Sequence, residues 1–374
     1  MPSIVLRAAV FLALAVLVTA LGVREPRAAG ALLESDAVWI ELASDRPLFG
    51  HVAAYDSAAD RMVLWGGEFD VYEPPVENRQ LDLKRGTWSK YQPTGDGPES
   101  RAGAILRGAR AALDEGENVV VVACDCVNGP THLLDLERDV WLAAPGDGAH
   151  SRSNALLAYD PVGDQVILYG GMERSLPPLL RSGMAYDMST DRTGWRDLPD
   201  APFALADQAV ALAPAAEHVL AFGGQDESGL PSAALWRLDL ARLDEAGAWR
   251  DITADIGGDG APSARMGATL SMDPASGTAL LFGGYGGDGN APDAWLLDYS
   301  DPGAPLWREL STTTAPEGRA GHSAVWDSER GRLLTFGGVS SGRSIEVLAD
   351  TWALTDASFA PRPAYLPAAK RSAR

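Results

Sequence analysis

The stretch "GRAGHSAVWDSERGRLLTFGG" at residues 318–338 decides the fold. It opens on Arg-Ala-Gly-His, runs through an apolar segment, turns on polar residues, runs apolar again and ends on a glycine pair. Two short apolar runs around a polar turn read as a β-hairpin. The same ending recurs as "VLWGG" at 63–67, "ILYGG" at 167–171, "LAFGG" at 220–224 and "LLFGG" at 280–284. The doublets are thus Gly66-Gly67, Gly170-Gly171, Gly223-Gly224, Gly283-Gly284 and Gly337-Gly338. Glycine at the end of a packed strand tolerates positive φ and lets neighbouring backbone come close.

A second period runs beside the first. Tryptophan opens similar tetrapeptides at Trp39 ("WIEL"), Trp195 ("WRDL"), Trp249 ("WRDI") and Trp307 ("WREL"), with weaker copies at Trp88 ("WSKY") and Trp141 ("WLAA"). From Trp88 onward the spacings are 53, 54, 54 and 58 residues. Between each doublet and the next tryptophan lies one more apolar run, such as "LWRLDL" at 235–240. Four short strands in a unit of about 50 residues is the pattern of a β-propeller blade. The tryptophan of the fourth strand is expected to fill the widening wedge between blades.

Gly-Gly after an apolar run, a third strand with a central aromatic or aspartate, and a downstream Trp together resemble the kelch repeat over residues 36–356. The expected fold is all-β: a six-bladed β-propeller of kelch type over 36–358, followed by a flexible tail at 359–374. Blade 2 departs from the pattern, with Cys124-Asp125 where the doublet belongs. "AVWIEL" at 37–42 is a fourth strand with nothing before it, and the third strand at 351–355 has no fourth after it. The N-terminal strand is therefore expected to close the last blade and leave no open edge.

Topology places a candidate site. In a meander of strands a to d, the d–a and b–c loops share one face and surround one mouth of the central channel. Arg101, Arg152, Arg265 and Arg319 open strand a in four blades, and Leu48 and Leu205 hold that position in two others. Four guanidiniums at one mouth would form an anion-attracting funnel, while the alternative is that each ties neighbouring blades together. The resemblance adds that some kelch domains bind acidic peptides at this arginine position. The b–c loops vary, as recognition loops do, and contribute Tyr72, Arg174, Tyr285 and Arg343 as further candidate contacts.

Catalytic and metal constellations are not assembled, so no catalytic residue, metal or cofactor is expected. His51 and His322 occupy one repeat position and read as structural, and no cysteine or carboxylate spacing makes His132, His150 or His218 a metal set. "STDRTGW" at 189–195 resembles a sialidase Asp-box one residue short, and reads as a turn. Cys124 and Cys126 stand too close in a strand for ordinary disulfide geometry unless the chain bends there.

A net charge of −20 on 374 residues argues against nucleic acid as a partner. Arg7 and the uncharged apolar run 8–23, followed by small residues, read as a signal peptide over 1–31, cleaved or retained as an anchor. The expected protein is exported (periplasmic, secreted or at the cell surface), with a membrane contact only if the leader stays. Its expected role is to bind a protein, an anionic small molecule or a glycan. The other reading is a carbohydrate-active propeller such as a sugar-acid mutarotase, which would need a titratable group beside the arginines.

Overall fold

Each glycine doublet ends the second strand of an antiparallel meander. A computed structural model describes residues 37–356, apart from 69–77, 96, 98–109, 124–130, 145–151, 174–175, 190–193, 259, 313 and 342–344. Tyr72, Arg101, Arg174, Arg343, His150, both cysteines, the leader and the tail lie outside the described residues.

The described residues are almost entirely strand and turn, and the fold is an all-β propeller. Blade 1 runs Phe49–Asp56, Arg61–Glu68, Arg79–Asp82 and Thr87–Lys90. Blade 2 runs Arg110–Asp114, Val119–Ala123, His132–Asp135 and Val140–Ala143. Blade 3 runs Leu156–Asp160, Gln165–Tyr169, Gly183–Asp187 and Trp195–Leu198. Blade 4 runs Ala209–Ala213, His218–Phe222, Leu235–Asp239 and Trp249–Asp251. Blade 5 runs Thr269–Asp273, Thr278–Phe282, Ala294–Asp298 and Leu306–Glu309, with Gly257–Gly258 added in parallel at its edge. The last sheet takes Ser323–Asp327, Arg332–Phe336 and Asp350–Thr355 from the C-terminal part, and Val38–Ser44 supplies its fourth strand. Trp39 stands opposite Leu354 in that pairing. The expected closure by the N-terminal strand is present.

Aspartates make the hairpins. Strand a ends on Asp56, Asp114, Asp160, Asp273 or Asp327, and each carboxylate accepts backbone N–H groups of the turn that follows. Asp82, Asp135, Asp187, Asp239 and Asp298 do the same after strand c. Such turns are what a short acceptor side chain does well. Much of the acidic excess is therefore turn chemistry.

The tryptophans join the blades as expected. Each packs against the residue just before the doublet of the preceding blade: Trp141 on Trp65 at 6.4 Å, Trp249 on Tyr169 at 5.3 Å and Trp307 on Phe222 at 5.6 Å. Trp39 meets Phe282 and Trp88 meets Phe336, both at 4.7 Å. Blade 2 has Ala123 at that place, so Trp195 stacks on Tyr186 of its own blade and reaches blade 2 by donating to Thr131 Oγ1 at 2.7 Å. Trp39, Trp141, Trp249 and Trp307 are buried, while Trp88 and Trp195 are half-buried.

Candidate functional site at the channel mouth

The residue opening strand a is first of all a backbone latch. The second glycine of a doublet donates its N–H to the carbonyl of that residue in the next blade. The pairs are Gly171 to Leu205 (3.1 Å), Gly224 to Arg265 (2.9 Å), Gly284 to Arg319 (2.8 Å) and Gly338 to Leu48 (2.8 Å). A Cβ on the first glycine would meet the same carbonyl oxygen at 2.4 Å from Gly337 and 2.5 Å from Gly283. Arg and Leu therefore serve this latch equally, because only the main chain takes part.

Two residues further on, a second belt lines the mouth. Asp207 donates its N–H to Asn154 O, Gly267 to Asp207 O, Gly321 to Gly267 O and Gly50 to Gly321 O, at 2.8–3.0 Å. All five residues sit at φ between 57° and 65°. Only left-handed backbone offers the N–H to one neighbour and the carbonyl to the other here, which suits Gly, Asn and Asp.

Arg265 and Arg319 are buried inside this framework and do not face the mouth as free cations. The Arg265 guanidinium clasps the Asp293 carboxylate at 2.6 and 2.9 Å and also donates to Ser263 O, Ser263 Oγ and Gly283 O. Arg319 clasps Asp350 at 2.7 and 2.9 Å and donates to Glu317 O and Gly337 O. The indoles of Trp295 and Trp352 donate to the same two carboxylates at 2.6 Å. Burial pushes both carboxyls up, but the guanidinium and indole donors outweigh it and hold them below the usual carboxylate range. These two arginines are struts, and the expected four-cation funnel is narrowed accordingly.

Arg152 differs. It is buried and donates to Ser182 O at 2.7 Å and Ser182 Oγ at 3.0 Å, where the other two blades supply aspartate. Its Nε finds no partner among the described residues. Burial lowers its pKa, and the charges of Asp197, Asp200 and Glu173 oppose that shift.

In the sequence Asp293 stands out only as a residue beyond the Asp-Gly-Asn at 288–290, a loose likeness to a calcium loop, and neither it nor Asp350 is expected as an arginine partner. The signal was the Asp-x-Trp at 293–295 and 350–352, some thirty residues after each arginine. They meet the letter of the test for an enzyme, a carboxylate beside arginine. Their lowered pKa and their guanidinium and indole donors mean that these two carboxylates are not poised to move a proton. His51 bonds Ser323 Oγ at 2.8 Å and His322 bonds Thr269 Oγ1 at 2.9 Å, each reaching the preceding blade. Burial pushes the His51 imidazole down to about 3 and lowers that of His322 as well, so both are neutral struts. Among the described residues no cluster of His, Cys, Asp and Glu is arranged to hold a metal.

Three large apolar side chains stand exposed on this face. Leu230 is 61% exposed, Tyr285 43% and Ile345 82%, in the b–c loops of three successive blades. The loops are linked into one rim. Tyr285 pairs with Asn290, whose side chain donates to Val339 O at 2.5 Å, and Ser341 of that last hairpin pairs with Ile345. Ser232 O accepts from Arg265 N at 2.9 Å, joining the loop of Leu230 to the next blade.

Fold and mouth define the class: a blade-repeat propeller with a latched framework and variable loops on one face. No family model matches the chain. It is 27% identical over 278 residues to Adagio-like protein 3 of Oryza sativa subsp. japonica, covering 70% of this chain and 41% of that protein. It is 27% identical over 310 residues to Putative adagio-like protein 2 of the same organism, covering 76% and 44%. Host cell factor homolog hcf-1 of Caenorhabditis elegans is 28% identical over 146 residues, covering 36% and 18%. The chain spans less than half the length of these curated relatives. They carry kelch repeats, and the likeness supports a kelch reading of the repeat.

Proposed function

We propose that the chain is a protein-interaction module that recognises its partner with the b–c and d–a loops around one mouth of the propeller. The observation that carries this reading is the contrast within that face. Its strand openings are locked by latches and buried ion pairs, while Leu230, Tyr285 and Ile345 stand exposed on loops anchored to that rigid base. Exposed apolar side chains on a pre-organised rim lower the ordering cost of association and supply its anchors. The kelch-repeat relatives point the same way.

A photoreactive amino acid tests the assignment of the face. Placed at Tyr285 it should cross-link a protein partner, and placed at Val162 on the opposite face, 62% exposed, it should not. Cross-links of equal yield from both positions would remove the assignment. The export reading rests on the leader sequence alone, and N-terminal sequencing of protein recovered from the host tests it.

One observation favours an anionic group at blade 3. Arg152 is the described arginine of this position that pairs with no carboxylate among the described residues, where its Nε also finds no partner. Loss of binding of a carboxylate ligand in Arg152→Ala, with the fold intact, would establish that reading.

A further inference from the structure

The chemistry of the rim says what kind of partner fits it, and this inference rests on the interaction reading above. We infer that the loops of blades 4 to 6 bind a cationic protein segment that also carries apolar side chains. The arginines that would have made this face positive are buried and neutralised: Arg265 by Asp293 and Arg319 by Asp350. Among the described residues of these three b–c loops the exposed charges are acidic, while Arg46, in the d–a loop after the last blade, is an exposed cation of the same face. Glu227, Asp288, Glu317 and Glu346 are exposed on this rim, beside Leu230, Tyr285 and Ile345. Arg181, an exposed cation of the neighbouring loop, is engaged with Glu227 at 3.2 Å and with Pro202 O at 2.8 Å.

Each exposed apolar residue therefore has a carboxylate a few positions away: Leu230 with Glu227, Tyr285 with Asp288, and Ile345 with Glu346. That is the complement of a segment alternating Lys or Arg with large apolar residues. The net charge of −20 adds long-range attraction for such a segment and repels an acidic one. The acidic turns of the opposite face are occupied differently, since their aspartates accept backbone N–H groups and arginine donors.

Three synthetic peptides of equal length test this at physiological ionic strength: a Lys/Leu amphipathic peptide, its Glu/Leu twin, and oligolysine without apolar residues. The folded protein should bind the Lys/Leu peptide at least tenfold more tightly than either of the others. The combined variant Leu230→Ser, Tyr285→Ser, Ile345→Ser should weaken that binding by tenfold or more. Glu227→Lys, Asp288→Lys, Glu346→Lys should weaken it similarly. Glu137→Lys on the opposite face should leave it unchanged. Equal or tighter binding of the Glu/Leu peptide would overturn the inference, as would an equal loss from the opposite-face control or no binding to any peptide. A partner cross-linked at Tyr285 in the face of such a result would leave the interaction reading standing and reject only its chemistry.

Discussion

Trp39 packs on Phe282 at a ring separation of 4.7 Å, joining the first described strand of the chain to the second strand of blade 5. The same strand pairs with Asp350–Thr355. One short segment therefore closes a sheet and fills a wedge. Trp39→Ala should cost about 3–5 kcal/mol, the usual loss for emptying a buried aromatic site. Deleting residues 32–44 should cost more, because the edge pairing goes as well. Urea unfolding measures both, and an unchanged midpoint would mean that the ring is held elsewhere.

The glycine doublet can be divided into its two requirements. Gly337 and Gly86 share nearly the same backbone, at φ +63° and +65°. A Cβ at Gly86 meets nothing within 4 Å, whereas at Gly337 it would lie 2.4 Å from Leu48 O. Gly86→Ala should therefore cost about 1 kcal/mol for left-handed backbone alone. Gly337→Ala should cost a further 1–3 kcal/mol or so for overpacking the seam. Equal losses in chemical denaturation would show that the close approach contributes nothing.

The arginines separate by their partners. Arg319→Ala leaves Asp350 without its guanidinium and should destabilise by on the order of 3 kcal/mol. Arg319→Lys should rescue only part of this, since an ammonium cannot reproduce the two-point clasp. Arg152→Ala removes no carboxylate pairing and should cost less than Arg319→Ala. Thermal melts of the three variants check the order, and a fully stable Arg319→Ala would return that residue to the role of a ligand contact.

The buried imidazoles set an acid limit. Burial pushes His51 down to about 3 and lowers His322, whereas in the unfolded chain both titrate near 6.5. Below about pH 6.5 the unfolded chain binds protons that the folded one refuses, so stability falls as pH drops. The contribution is fully present above that pH and should decline steadily from 6.5 toward 5. Replacing both histidines with glutamine should flatten stability over that window. An equally steep decline in the double variant would assign the effect to other groups.

Much of this was legible in the sequence because it repeats. The doublets recur in five blades and the tryptophans in all six, and with the orphan strand at 37–42 their period exposed the architecture. The partner of each arginine was hidden for a physical reason. Asp293 and Asp350 come after loops of different length, so they stand 28 and 31 residues from Arg265 and Arg319 and share no fixed spacing. Aspartates that serve only turns surround them in the sequence and mask the two that do not. The mouth belt at Gly50, Asn154, Asp207, Gly267 and Gly321 was visible only as a small or turn-forming residue two places after each strand opening. Which side chains of the variable loops stay exposed is set by packing between loops, and no repeat announces it.

Recognition by the rim is the central claim, and amide hydrogen exchange with and without a bound partner tests it most directly. Binding should slow exchange in 225–234, 285–293 and 345–349, and leave the opposite-face turns at 161–164 and 214–217 unchanged. Protection confined to those turns, with the three rim loops exchanging as before, would contradict the account.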